Sequence, residues 1–314
     1  MKEGTIGIGS ASGAARERAS MNFKQYDHWI RSQPGLFLEL IRIYLGVGLL
    51  IKGVYFLMNP GELAVSDANA SLAPLVRAIP YVHVLGGLLL ATGWLTRLAA
   101  LVQIPILVGA IFLVNLRQAT SLETREGVEF AALVLFLLVL IFIKGSGQLS
   151  LARIWNHVPN ASTPHPYQQW VDARSDILID MIRVYLGIGL ILKGVYIMVH
   201  REEFLRLLDQ STGMEIFLVA AAHYVIPAHF AGGLLLTLGL LTRWAAAAQI
   251  PILAGAILCV YLPRLATMPL RENLEYTTLV LLLLMVLTAY GSGRLSSDRS
   301  LEKAEHRRLQ PQHA

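Results

Sequence analysis

Long apolar runs separated by short polar breaks set the layout of this chain. Runs at 36–58, 80–98, 100–116 and 128–143 approach or exceed the length that crosses ~30 Å of hydrocarbon at ~1.5 Å per helical residue. A second set follows at 177–199, 214–241, 245–262 and 274–290. The pattern predicts about eight membrane helices. Asn59-Pro60-Gly61 and Gly145-Ser146-Gly147 read as stops, Thr96-Arg97 as a tight turn, and 117–127 as a charged loop. Shorter amphipathic helices are expected at 71–79 and 149–156, and an interfacial one at 22–32 with Phe23, Tyr26 and Trp29. A kink is expected near Pro227. The proline-rich 159–166 reads as a linker, and the stretch from Ser296 as a charged, solvated tail.

The second set of runs copies the first. The string YLGVGLLIKGVY at 44–55 returns as YLGIGLILKGVY at 185–196, with only aliphatic exchanges. His83-Val84-Leu85-Gly86-Gly87 returns as His229-Phe230-Ala231-Gly232-Gly233, and Leu95-Thr96-Arg97 as Leu241-Thr242-Arg243. Gln103-Ile104-Pro105 returns as Gln249-Ile250-Pro251, and Gly145-Ser146-Gly147 as Gly291-Ser292-Gly293. A four-helix unit is therefore duplicated, and an even helix number gives both copies the same orientation, unlike inverted-repeat transporters. The expected fold class is an all-α membrane protein of two repeated four-helix transmembrane bundles, related by a pseudo-twofold axis along the membrane normal. The expected parts are an N-terminal cytoplasmic or interfacial segment (1–35), a first unit (36–156), a linker (157–176), a second unit (177–298) and a cytoplasmic tail (299–314).

Composition agrees. Of 314 residues, 55% are hydrophobic and 15% charged, against about 25% charged in soluble domains, and mean hydropathy is +0.55. The net charge of +5 does not point to nucleic acid, because the basic residues sit at the ends of apolar runs, where topology explains them. Their distribution between loops places both termini in the cytoplasm. The first twenty residues have no apolar signal core, so the first membrane helix is expected to act as an uncleaved anchor. Cys259 is the single cysteine, which excludes an intrachain disulfide; it reads as a small apolar residue.

The chemistry lies in charges inside the runs. Lys52 and Lys193 each place an ammonium in a membrane helix, at a cost of at least ~2.5–3.5 kcal/mol on insertion scales. Tyr44, Gly48, Lys52 and Tyr55 share one helix face, which is expected to look toward protein or a ligand. With Tyr55, His83 and Glu129 in one unit and Tyr196, His229 and Glu275 in the other, each lysine could be joined by an imidazole, a carboxylate and a tyrosine at one depth. Two readings stay open. One is a salt bridge, Lys52 to Glu129, locking the first and fourth helices with the lysine snorkelling outward. The other is a ligand or proton site able to hydrogen-bond quinone carbonyls. Glu39 with Arg42, and Asp180 with Arg183, read as interfacial snorkelling pairs. Gln103 and Gln249 read as partners for carbonyls freed by the prolines beside them, and Gly46, Gly53, Gly86 and Gly93 as helix-packing positions. Ser150 and Ser296 are candidate helix caps. A lone histidine per unit is weak support for haem, and no Cys/His clustering suggests a metal.

The Lys-Gly first helix, the His-x-x-Gly-Gly second helix, the Leu-Thr-Arg turn and the terminal Gly-x-Gly-x-x-Ser together resemble the DoxX/DoxD-like membrane proteins, here in tandem. The family's serine-leucine-aspartate ending departs to Ala152 in the first copy and keeps Asp298 after Ser297 in the second. The resemblance implies a link to the quinone-reducing membrane subunit of thiosulfate:quinone oxidoreductase and to membrane oxidoreductase assemblies. Quinone or bound lipid is then the expected ligand, with no covalent cofactor. Membrane lipids and other redox subunits are the expected partners, and a bacterial cytoplasmic membrane the expected location. The sequence offers no soluble extramembrane domain and no metal or flavin motif, which argues against a complete enzyme in this chain alone. A non-catalytic scaffold subunit and a small-solute transporter, with a cavity lined by His83, His229 and Asn115, are the alternatives.

Overall fold

A computed structural model describes residues 25, 35–63, 72–115, 122–147, 149–151, 166–202, 204–206, 215–264 and 270–300. The chain divides into two compact units, Met1–Pro34 and Gly35–Ala314, and the helices below all belong to the second. The expected helix at 22–32, most of that at 149–156 and nearly all of the linker lie outside the described residues.

The helices are α1 (Leu36–Met58), α2 (Ala73–Thr92), α3 (Thr96–Gly109), α4 (Leu122–Lys144), the short α5 (Pro166–Asp172), α6 (Ser175–Val199), α7 (Glu215–Leu238), α8 (Thr242–Gly255) and α9 (Leu270–Tyr290). Seven helical stretches are long and apolar enough to span a membrane. The eighth expected span, α7, has a shorter apolar stretch, His223–Leu238. Both α3 and α8 pass into a π-helical turn, Ala110–Asn115 and Ala256–Tyr261, the latter carrying the half-buried Cys259.

Several boundaries differ from the hydropathy reading. The separate amphipathic helix at 71–79 does not form; α2 runs from Ala73 straight through Pro80. Thr96-Arg97 is not the turn but the start of α3. The turn is Gly93 to Leu95, with φ of 76° at Gly93 and 51° at Leu95, and its twin has 69° at Gly239 and 47° at Leu241. Leucine rarely adopts positive φ, and in the second copy the Asp298 carboxylate holds the bend by accepting the Leu241 and Thr242 N–H groups at 2.9 and 3.2 Å. The expected solvated tail is therefore docked at its start: Ser296 is buried and caps the next turn by accepting the Arg299 N–H at 3.3 Å. Helix α4 begins at Leu122, inside the stretch read as a charged loop.

Close approach explains the conserved small residues within each copy. A Cβ on Gly46 would lie 2.8 Å from the Gly87 carbonyl of α2, so α1 and α2 touch backbone to backbone. Within each repeat the four helices pack in sequence order, and α4 packs on α9 at the centre. Phe130 and Tyr276, which hold equivalent places in the two copies, meet there at 6.4 Å between rings. The pseudo-twofold axis therefore passes between them. Leucines and valines of α4 and α9 fill the common core.

Candidate functional site

The two lysines are held against protein, and by the opposite repeat. Lys193 on α6 places Nζ 2.5 Å from Glu126 Oε1 and 3.8 Å from Glu129 Oε2, both on α4. Lys52 on α1 places Nζ 3.9 Å from Glu275 Oε2 on α9. The expected Lys52–Glu129 pair does not form. Because α4 and α9 stand side by side at the centre, each comes within reach of the first helix of the other copy. The lysines are 19% and 18% exposed, so neither ammonium lies in open hydrocarbon or in bulk water.

The other predicted residues divide. Glu129 also accepts from Arg125 Nε at 3.1 Å, and the Arg125 guanidinium lies 4.4 Å over the Tyr196 ring, which stacks on His200. Lys193, Glu129 and Tyr196 thus gather in one cluster with Glu126 and Arg125. Tyr55 donates to Glu62 at 3.3 Å. His83 and His229 are buried inside their own repeats. In the first copy Phe56 stands between imidazole and ammonium, 6.2 Å from the His83 ring and 5.5 Å from Lys52 Nζ. In the second, His229 Nδ1 sits 2.8 Å from the Val225 carbonyl, and α7 approaches at Gly194, where a Cβ would meet His229 Cβ at 3.2 Å.

The face that bears the lysines makes further contacts across the repeats. The Tyr44 hydroxyl lies 2.6 Å from Thr278 Oγ1 on α9, and Tyr185 stacks on Phe136 of α4 at 4.6 Å. Midway between tyrosine and lysine on this face are Gly48 and Gly189. A Cβ at either would meet nothing within 4 Å. Each copy thus has a notch at mid-span, with an aromatic ring on one edge and an ion pair on the other. The i, i+4, i+8 spacing places all three residues on one side of the helix.

At the opposite end of each repeat a second charged group is fully enclosed. Arg42 is 1% exposed; it donates to Glu39 at 2.8 Å and to the Leu90 and Ala91 carbonyls ending α2 at 2.5 and 3.1 Å. Arg183 repeats this with Asp180 at 3.1 Å, the Leu236 carbonyl, and the Thr237 carbonyl at 3.0 Å. These pairs do not snorkel to the interface. The Gly-Ser-Gly segment folds over them: a side chain on Gly147 would collide with the Glu39 carboxylate, and Asp180 Oδ2 accepts the Leu295 N–H at 2.7 Å. The repeated acid-x-x-Arg spacing was the available signal. Gln103 and Gln249 likewise reach the neighbouring helix, donating to Val82 and Ala228 carbonyls at 2.9 and 2.7 Å, not to carbonyls beside their own prolines.

Apolar helices, charges buried between them and an in-tandem repeat define an integral membrane protein. The DoxX family model matches residues 37–116 and 178–262, more than half of the chain. The protein belongs to the DoxX family, with two such regions in tandem. The matches run from α1 through α3 and from α6 through α8, so the carboxylates of α4 and α9 lie outside them. No curated protein and no solved structure matches the chain.

Proposed function

We propose that this DoxX protein is a membrane subunit of a quinone-linked electron-transfer complex in a bacterial cytoplasmic membrane, with both termini cytoplasmic. In this reading the notches at Gly48 and Gly189 receive a quinone ring. Electrons come from a partner redox subunit. Lys52 and Lys193 donate hydrogen bonds to the ring oxygens as negative charge develops there, while Glu275, Glu126 and Glu129 keep the ammonium charged and return its protons. Tyr185 and Tyr44 bound the ring on the far edge. The single observation behind the reading is the doubled arrangement of an open glycine one turn from an ammonium that is paired across the repeats. An ammonium held at mid-protein without a ligand role would only cost stability.

The test fills the notches. In Gly48→Leu plus Gly189→Leu protein the new side chains start in open space, and leucine raises helix propensity by up to ~1 kcal/mol over glycine. The fold is expected to persist and photo-crosslinking by a quinone azide in native membranes to disappear. Full labelling of a folded double variant sinks the proposal and leaves the scaffold reading. The same labelling is expected to fall in Lys52→Ala plus Lys193→Ala protein.

A further inference from the structure

Two buried acceptor atoms in the second cluster have no hydrogen-bond partner: Glu126 Oε2 and Asn273 Oδ1, in side chains 5% and 3% exposed. Both lie about one turn before the Phe130–Tyr276 ring contact, since Glu126 is four residues before Phe130 and Asn273 three before Tyr276. Residues at these spacings share a helix face. The faces in question are those that α4 and α9 turn toward each other. A buried acceptor without a donor costs ~1–3 kcal/mol, so two at one level of one seam mark a place built for a donor.

We propose that Glu126 is the proton-exchanging carboxylate of the Lys193 site, and that it takes its proton from a water held at the α4–α9 seam with Asn273. This rests on the reading of the Gly189 notch as the quinone site. Lys193 carries two carboxylates, Glu126 at 2.5 Å and Glu129 at 3.8 Å, while Arg125, 38% exposed, is screened by solvent. One buried carboxyl can therefore be neutral and the ammonium still be paired. The proton moves in steps that balance. Lys193 gives one proton to the reduced ring oxygen, and Glu126, in its acid form, returns one to Lys193 across the 2.5 Å contact. The seam water then reprotonates the Glu126 carboxylate and is itself reprotonated from solvent.

The groups facing Glu126 fit a single exchanging acid. From α6 come Lys193 and, beyond it, Tyr196 and Tyr185. From α9 come Tyr276 and Asn273, and from its own helix Arg125 and Glu129. The π turn after α3, Ala110–Asn115, contains no ionisable residue. The first copy has Gly127 where the second has Asn273, so the seam device serves one of the two sites.

Infrared difference spectroscopy of the full-length protein in quinone-free vesicles tests this. A step from alkaline to acid pH is expected to produce a protonated-carboxyl C=O band that disappears in Glu126→Gln and survives in Glu275→Gln. In Asn273→Ala, which leaves every charge in place, the band is expected to shift in frequency and in midpoint pH. A wild-type protein without the band, a band retained in Glu126→Gln, or one unmoved by Asn273→Ala overturns the assignment. Because the vesicles hold no quinone, failure here leaves the labelling test of the notch untouched, and loss of labelling alone leaves the band.

Discussion

Arg42 and Arg183 are the largest side chains fully enclosed in this protein, and their surroundings decide what they do. Each guanidinium spends its donors on one carboxylate and on carbonyls at the end of the second helix of its repeat. That geometry ties three segments together and offers nothing to a ligand. Removing one partner strands the other charge, at ~3–5 kcal/mol. Arg183→Leu is therefore expected to lower the midpoint of unfolding in detergent sharply, and Asp180→Asn likewise. Asp180→Leu with Arg183→Leu together should cost less than the two single changes summed, a coupling that a double-mutant cycle reads directly. Equal, additive losses would mean the pair is not a unit. At this scale the sequence was partly legible. The spacing of Glu39 to Arg42 announced an ion pair, but hydropathy does not say whether a charge near a helix end meets headgroups or a folded segment. Lys52 shows the same limit: its helix face was readable, its partner was not, because Glu129 and Glu275 are chemically identical and only the packing of α4 on α9 chooses between them.

Helix α1 carries two glycines, Gly46 and Gly48, that do opposite things. The Gly46 Cα faces the backbone of α2, where a Cβ would lie 2.7 Å from Ala91 Cα and 2.8 Å from the Gly87 oxygen. Gly48 faces open space. Gly46→Val is expected to force α1 from α2 and to lose the folded, monodisperse protein on size exclusion, since packed backbone has no room to give. Gly48→Val should leave the same elution profile unchanged. If both elute alike, the backbone contact between α1 and α2 does not hold the repeat together. The helices themselves were legible because apolar runs of this length have few other fates. Their ends were not. Pro80 was read as a boundary and is an interior residue of α2, because a proline removes only one hydrogen bond and its fixed φ is helical. The docking of Asp298 on the α8 start was hidden too, since charge and a terminal position suggested solvent.

Tandem duplication takes on a physical meaning once the ion pairs are placed. Lys52 finds Glu275 and Lys193 finds Glu126 and Glu129, so each charged site takes its cation from one repeat and its anions from the other. Tyr44 bonded to Thr278 and Tyr185 stacked on Phe136 repeat the exchange in neutral form. A single repeat would then bury a lysine without its counter-charge, which is the costly half of a broken ion pair. Two four-helix units in one chain are in this sense one object, with the apolar α4–α9 contact as its centre. Cutting the chain within 157–165 and producing the halves separately tests it. Each half alone is expected to be degraded or aggregated, and the two together to recover a stable complex that co-purifies. Lys193→Glu in one half should abolish that recovery, and Glu126→Lys with Glu129→Lys in the other half should restore part of it by reversing the charges across the seam. A lone half that is stable, or a Lys193→Glu half that still assembles, would show that the crossed pairs follow from the packing and do not direct it.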